Sequence, residues 1–285
     1  MRGLALFFAA LVAAPSLALA ATSVPTQLPQ GAAPIAYDVT VTPDAKALTF
    51  SGYETITIDL SRGTDRVVLN ALNLSIEKAQ IDGAPAAVTL DAKAQTAAFS
   101  TGRPIASGRH VLTLDYSGRI ADSATGFFHV DYAGGRMLTT QFEPADARRF
   151  LPVFDEPSKK AVFRLSAVVP QDQMAVSNMP EAASEPLAGG LKKVTFSPTP
   201  KMSSYLLFFG VGVLERVSRQ VDGVTVSVVV RKGQTAQAAF ALETAAQLLP
   251  FYNDYFGQKY PLPKLDLVAA PGDVSGSMEN WGAIL

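Results

Sequence analysis

The chain has 285 residues, of which nearly half are apolar, 24 are basic and 25 acidic, and none is cysteine. A formal charge of −1 supplies no field for nucleic acid or an anionic membrane surface, so neither is expected as a partner. Without cysteine there is no disulfide framework and no lipidation site, and stability has to come from a buried core.

Met1-Arg2, the apolar run from Leu4 to Ala14 and the small-residue stretch Leu17-Ala18-Leu19-Ala20-Ala21 form the three parts of a secretory signal peptide. Pro15 and Ser16 interrupt the run, which is too short to span a bilayer, so cleavage near Ala20 is expected rather than anchoring. No other stretch resembles a membrane span. Residues 1–20 are therefore read as a leader and the protein as secreted, with a bacterial periplasm the fitting compartment for a cysteine-free exported chain. The remainder of the chain exceeds the usual size of one domain, so two domains or part of a larger assembly are expected.

From Tyr37 to about Val213 the apolar residues recur with period two: Tyr37, Val39 and Val41, then Ile56, Ile58 and Leu60, then Leu112, Leu114 and Tyr116. Turn signals such as Asp82-Gly83, Ser107-Gly108 and Gly134-Gly135 separate these runs. The pattern predicts a mainly β fold of many short strands in packed sheets, a saddle or sandwich over residues 21–215. The texture changes after Glu215. A strand-like run from Val224 to Val230 leads into a helix in which Phe240, Thr244, Leu248, Tyr252 and Phe256 fall four apart, with Gly257 as its stop. Pro250 is expected to kink or divide that helix, because it lacks a donor and crowds the preceding turn. A short apolar strand from Leu265 to Ala269 follows, so residues 216–285 read as the beginning of an α/β unit.

Two short segments hold the candidate chemistry. The first is "TTQFEPADARRFLPVFDEP", residues 139–157, where Asp146, Arg148, Arg149, Asp155 and Glu156 read as a solvated loop with internal ion pairs. Gln141 and Glu143 differ, since they share one face of a strand that Pro144 ends, and together they form a ledge of amide and carboxylate. The second is "SGSMENWGAIL" at residues 275–285, which contains the chain's only tryptophan.

This second segment resembles the Gly-x-Met-Glu-Asn motif of the aminopeptidase N family of zinc exopeptidases. "TQFEPADARRFLPVFDEP" is similar to that family's stretch ahead of its catalytic domain, and "FYNDYFGQKYPLPKLDLVAAPG" to its lead-in to the motif. The resemblance runs from about residue 30 to the last residue. It implies that residues 216–285 open a thermolysin-like catalytic domain, and that the activity is removal of N-terminal residues from peptides by a zinc-bound water. It also implies that Glu279 and Glu143, with Gln141 beside them, bind the substrate's free amino terminus, since carboxylates accept charge-assisted hydrogen bonds from an ammonium. Gly276, Ser277 and Met278 would pair with the substrate main chain, Gly276 allowing close approach, and Asn280 completes the motif. If both glutamates face one ammonium, they lie near one another across the domain boundary.

The chain departs from the family in three places. Ser277 stands where alanine or glycine is usual, and Val153 where relatives often have cysteine. The third departure concerns the metal, which the family holds with His-Glu-x-x-His on a later helix. Here only His110 and His129 occur, both in the β region and without that spacing, so each reads as a strand or surface residue. No zinc is expected on this chain itself, no catalytic residue is assigned within it, and it reads as a fragment or a truncated reading frame of a zinc enzyme. The alternative is a non-catalytic β-rich module that recognises peptide termini.

Overall fold

The computed structural model describes residues 27–272, 274 and 276–285, so the leader assigned to residues 1–20 lies outside the described residues. The chain opens with β1 (Ala32–Asp44), β2 (Thr49–Leu60), β3 (Val67–Asn70), β4 (Leu74–Ile81), β5 (Ala84–Pro85), β6 (Ala87–Asp91), β7 (Thr96–Ser100) and β8 (Gly108–Arg119). It continues with β9 (Gly126–Tyr132), β10 (Gly135–Gln141), β11 (Val162–Pro170), β12 (Met174–Ser177), β13 (Glu181–Leu187), β14 (Leu191–Phe196) and β15 (Phe209–Gly212). The last elements are β16 (Leu214–Val221), β17 (Val224–Arg231), α1 (Ala239–Phe256), β18 (Lys264–Val268) and β19 (Ala283–Ile284).

The strands form an eight-stranded sheet in the order β13-β14-β11-β1-β2-β8-β4-β5, a four-stranded sheet β12-β15-β10-β9 and a small sheet β3-β7-β6. A further four-stranded sheet, β16-β17-β18-β19, belongs to the last part of the chain. Period two explains the large sheet. Tyr37 lies opposite Ile56 and Phe163, and Ile56 opposite Leu112, so one face presents a continuous apolar layer. Tyr37 stacks on Phe163 with ring centroids 4.7 Å apart.

In the last part, β17 and β18 pair in parallel with α1 between them, the crossover a parallel pair requires. The helix runs unbroken through Pro250, where the sequence predicted a kink or division. Hydrogen bonding resumes beyond it, and Gly257 in the left-handed region (φ 62°) closes the helix, with the Gln258 N–H donating to the Asn253 carbonyl at 3.1 Å. The four-residue spacing from Phe240 marks the open side of this helix. Phe240, Leu248, Tyr252 and Phe256 are exposed along an apolar groove of about 690 Å³ that Leu265 and Ile284 also line, while the buried positions are Ala245, Ala246 and Leu249. No described helix is long and apolar enough to cross a membrane.

Candidate functional site

β10 presents the first part of the site. The strand ends at Gln141, two residues earlier than the sequence suggests, because Phe142 turns inward to join Phe50, Phe127, Phe150 and Phe209. Its ring lies 5.4 Å from that of Phe150, and burying it contributes roughly 1.5–3 kcal/mol toward fixing this backbone. Glu143 then points to solvent, and its N–H donates to Gln141 Oε1 at 3.1 Å. The amide and the carboxylate-bearing residue are held together, with Glu143 exposed.

The charged block behind them is not the solvated loop that its composition suggests. Arg148, Asp155 and Glu156 are buried. Arg148 Nε donates to Asp155 Oδ2 at 2.9 Å, Ser204 Oγ donates to Asp155 Oδ1 at 2.9 Å, and the Leu28 N–H donates to Glu156 Oε1 at 2.5 Å. Burial pushes the Asp155 carboxyl up against the pull of Arg148, so the pair is structural and desolvated. Arg149 and Asp146 form the more exposed partner pair, at 2.6 Å.

The motif loop closes on itself. The Met278 N–H donates to the Leu285 carbonyl at 2.8 Å, the Leu285 N–H donates back at 3.0 Å, and the Ala283 N–H donates to the Asn280 carbonyl at 3.1 Å. Met278 and Asn280 are buried while Glu279 between them is exposed, so the loop drives its carboxylate outward. Both main-chain groups of Met278 are engaged with Leu285, while Gly276 and Ser277 are exposed. Gly276 has φ 115°, a region that favours glycine, and a Cβ there would meet nothing within 4 Å. The Asn280 Nδ2 is buried without a hydrogen-bond partner among the described residues. Among the described residues neither Glu143 nor Glu279 is in an ion pair.

Sequence reasoning missed the groups beneath this loop. Lys264 and Asp266 take the buried face of β18, with Lys264 Nζ donating to Asp266 Oδ2 at 2.8 Å and to the Gly282 carbonyl at 2.6 Å. Arg216 donates to the same carboxylate oxygen at 2.9 Å. Burial lowers the Lys264 pKa against the pull of Asp266, and burial pushes the neighbouring Tyr260 hydroxyl up to about 12. The signal available was two charges alternating with leucine in "KLDLV". Asn178 was missed as well. It donates to the Trp281 carbonyl at 2.8 Å from just beyond β12.

This donor set does not fit zinc. It consists of carboxylates and amides without an imidazole, whereas His110 is engaged with Asp82 at 2.6 Å and His129 with Asp122 at 2.9 Å in the β region. Among the described residues no three histidine, cysteine, aspartate or glutamate side chains group as a metal site. Oxygen acceptors aimed at solvent suit a cationic donor instead.

A multi-sheet β domain leads into a β-α-β unit, with the Gly-x-Met-Glu-Asn loop pinned between them, and this defines a two-part architecture. Residues 33–206 match the Peptidase M1 N-terminal domain and residues 240–285 the Peptidase family M1 domain, and the chain belongs to that family. It is 41% identical over 265 residues to an Aminopeptidase N of Acetobacter pasteurianus, covering 90% of this chain and 75% of that protein. It is 38% identical to Aminopeptidase M1-C of Oryza sativa subsp. japonica and 37% identical to Aminopeptidase M1 of Arabidopsis thaliana. In those two comparisons 90% of this chain is matched, and it spans 30% and 31% of the relatives' lengths.

Proposed function

We propose that this chain recognises the free amino terminus of peptide substrates and forms the amine-binding part of a zinc-dependent aminopeptidase. Glu279 and Glu143 accept hydrogen bonds from the terminal ammonium, Gln141 supports Glu143, and the main chain of Gly276 and Ser277 pairs with the substrate backbone. In this reading residues 21–215 are the N-terminal β domain, residues 216–285 open the peptidase domain, and zinc is held by residues that these 285 do not include. Residues 1–20 direct the protein to a secreted, periplasmic location. The observation that carries the proposal is the orientation of Glu279, driven outward from a closed loop between two buried neighbours.

The test is a titration of the chain with trialanine and with N-acetyl-trialanine, followed by NMR. The free peptide is expected to bind about tenfold or more tightly, the scale of a hydrogen bond to a charged group, and Glu279→Gln is expected to bring the two peptides close to equality. Equal binding of both peptides by the wild-type chain would overturn the proposal.

A further inference from the structure

We infer that Asn178 is a positioning residue that sets the offset between the two carboxylate-bearing segments; the inference rests on the reading of Glu143 and Glu279 as partners of a terminal ammonium. Asn178 follows directly on β12, whose neighbour in the sheet is β15, and β15 pairs in turn with β10, the strand that leads to Gln141 and Glu143. Its side chain is buried and its amide is fully used. Oδ1 accepts from the Phe208 N–H at 2.8 Å, and Nδ2 donates to the Leu206 carbonyl at 2.7 Å and to the Trp281 carbonyl at 2.8 Å. Two of these bonds fix the amide to the segment entering β15. The third reaches a turn 103 residues away in sequence, two residues beyond Glu279.

The same turn is gripped from its other side. The Gly282 carbonyl accepts from Lys264 Nζ at 2.6 Å and from the Asp266 N–H at 3.0 Å. Gly282 has φ 74° and lies so close that a Cβ there would fall 2.2 Å from the Asn178 carbonyl oxygen. Successive carbonyls of one turn are therefore held by two different sheets, so the turn cannot slide relative to β10 without losing hydrogen bonds. A hydrogen bond tolerates only a few tenths of an ångström in donor–acceptor distance, and misplacement of about 1 Å disables a binding constellation. Asn178 touches no substrate in this arrangement and acts through the position of Glu279.

A purely structural Asn178 would affect stability and leave recognition unchanged, and Ser177 supplies the control. Its Oγ is buried and donates to the Phe208 carbonyl at 2.7 Å in the same segment, rather than to the motif loop. The experiment compares Asn178→Ala, Asn178→Asp and Ser177→Ala by two readouts. One is the preference of the chain for trialanine over N-acetyl-trialanine. The other is acrylamide quenching of Trp281, the only tryptophan. Both Asn178 variants are expected to lower the preference about tenfold, the effect of losing a buried hydrogen-bond donor, and to raise quenching. Ser177→Ala should keep the wild-type preference and quenching whatever thermal stability it loses. Asn178→Asp retains the acceptor for the Phe208 N–H and replaces the two donors by a carboxylate oxygen facing the Leu206 and Trp281 carbonyls, so it displaces the same turn by a second route, and Trp281 quenching reports that displacement in whichever variant folds. A wild-type preference in the Asn178 variants, or an equal loss in Ser177→Ala, overturns the inference alone. Absence of any preference in the wild type overturns both the ammonium reading and the inference.

Discussion

Glu54 lies opposite Val39 and Leu114 on the core face of the eight-stranded sheet, fully buried, and among the described residues neither of its carboxyl oxygens has a hydrogen-bond partner. Its parity with Ile56 and Ile58 puts it there, since residues two apart share a face. Burial pushes its carboxyl well above the usual range, and the flanking Tyr37 and Tyr116 hydroxyls are pushed up by their own burial and further by the Glu54 charge. The folded protein binds this proton more tightly than the unfolded chain does. Its contribution to stability is therefore fully present below the ordinary glutamate value of 4.5 and is lost as pH rises toward the raised folded value. Glu54→Gln removes the titration while keeping the shape. The variant is expected to melt higher than wild type at neutral pH and to show a flatter pH dependence above the ordinary glutamate value. Parallel melting profiles for the two proteins would rule out a titrating Glu54.

The helix α1 carries Pro250 in its fourth turn without dividing, although a proline there cannot donate to the Ala246 carbonyl. Pro250→Ala restores that donor. It is expected to strengthen the helix by about 1–3 kcal/mol, read as slower hydrogen exchange of amides in residues 239–256; unchanged exchange would mean that packing already matches the proline. The sequence exposed the strands well, because Tyr37, Val39 and Val41 or Leu112, Leu114 and Tyr116 alternate under a single buried face. It exposed β17 as an apolar run, yet misjudged β18, where the charged Lys264 and Asp266 are the buried members and Leu265 and Leu267 the half-buried ones. Charges inside a strand become sensible only with their partners, and those partners, Arg216 and the Gly282 carbonyl, are distant in sequence. In the site, parity placed Gln141 beside Glu143, and the resemblance pointed to Glu279. Asn178 left no local signal. An asparagine after a strand reads as an ordinary turn residue, and its bond to Trp281 exists only once two sheets are assembled.

At the scale of the molecule the two parts of the chain share one core unevenly. Val229, Val268, Met278, Ala283 and Leu285 belong to the same buried cluster as Phe127, Phe150 and Phe209 of the β domain. The helix does not. Ala245 and Leu249 pack with Val224 and Val226 in a separate small cluster, and Ala238 packs with Val228 and Val230 in another. Burial contributes in proportion to apolar area, so clusters rich in alanine hold α1 less strongly than Met278 and Leu285 hold the motif loop, each large side chain giving roughly 1.5–3 kcal/mol. Local openings follow such differences, and regions with few buried apolar contacts open first. The expected order is α1 early, with the motif loop retained until the β domain unfolds. Under native conditions residues 239–256 should exchange their amides before residues 278–285. In urea, Trp281 fluorescence should change at the same midpoint as the far-ultraviolet signal of the sheets, because Asn178 and the shared core make the loop part of the β domain's cooperative unit. Substitution should shift the two signals together. Met278→Ala, which leaves a cavity and costs about 2–5 kcal/mol, should lower both midpoints equally. A Trp281 transition that precedes loss of the sheets would show the loop to be an independent unit, and the β domain could not then hold Glu279 in place for a substrate's amino terminus.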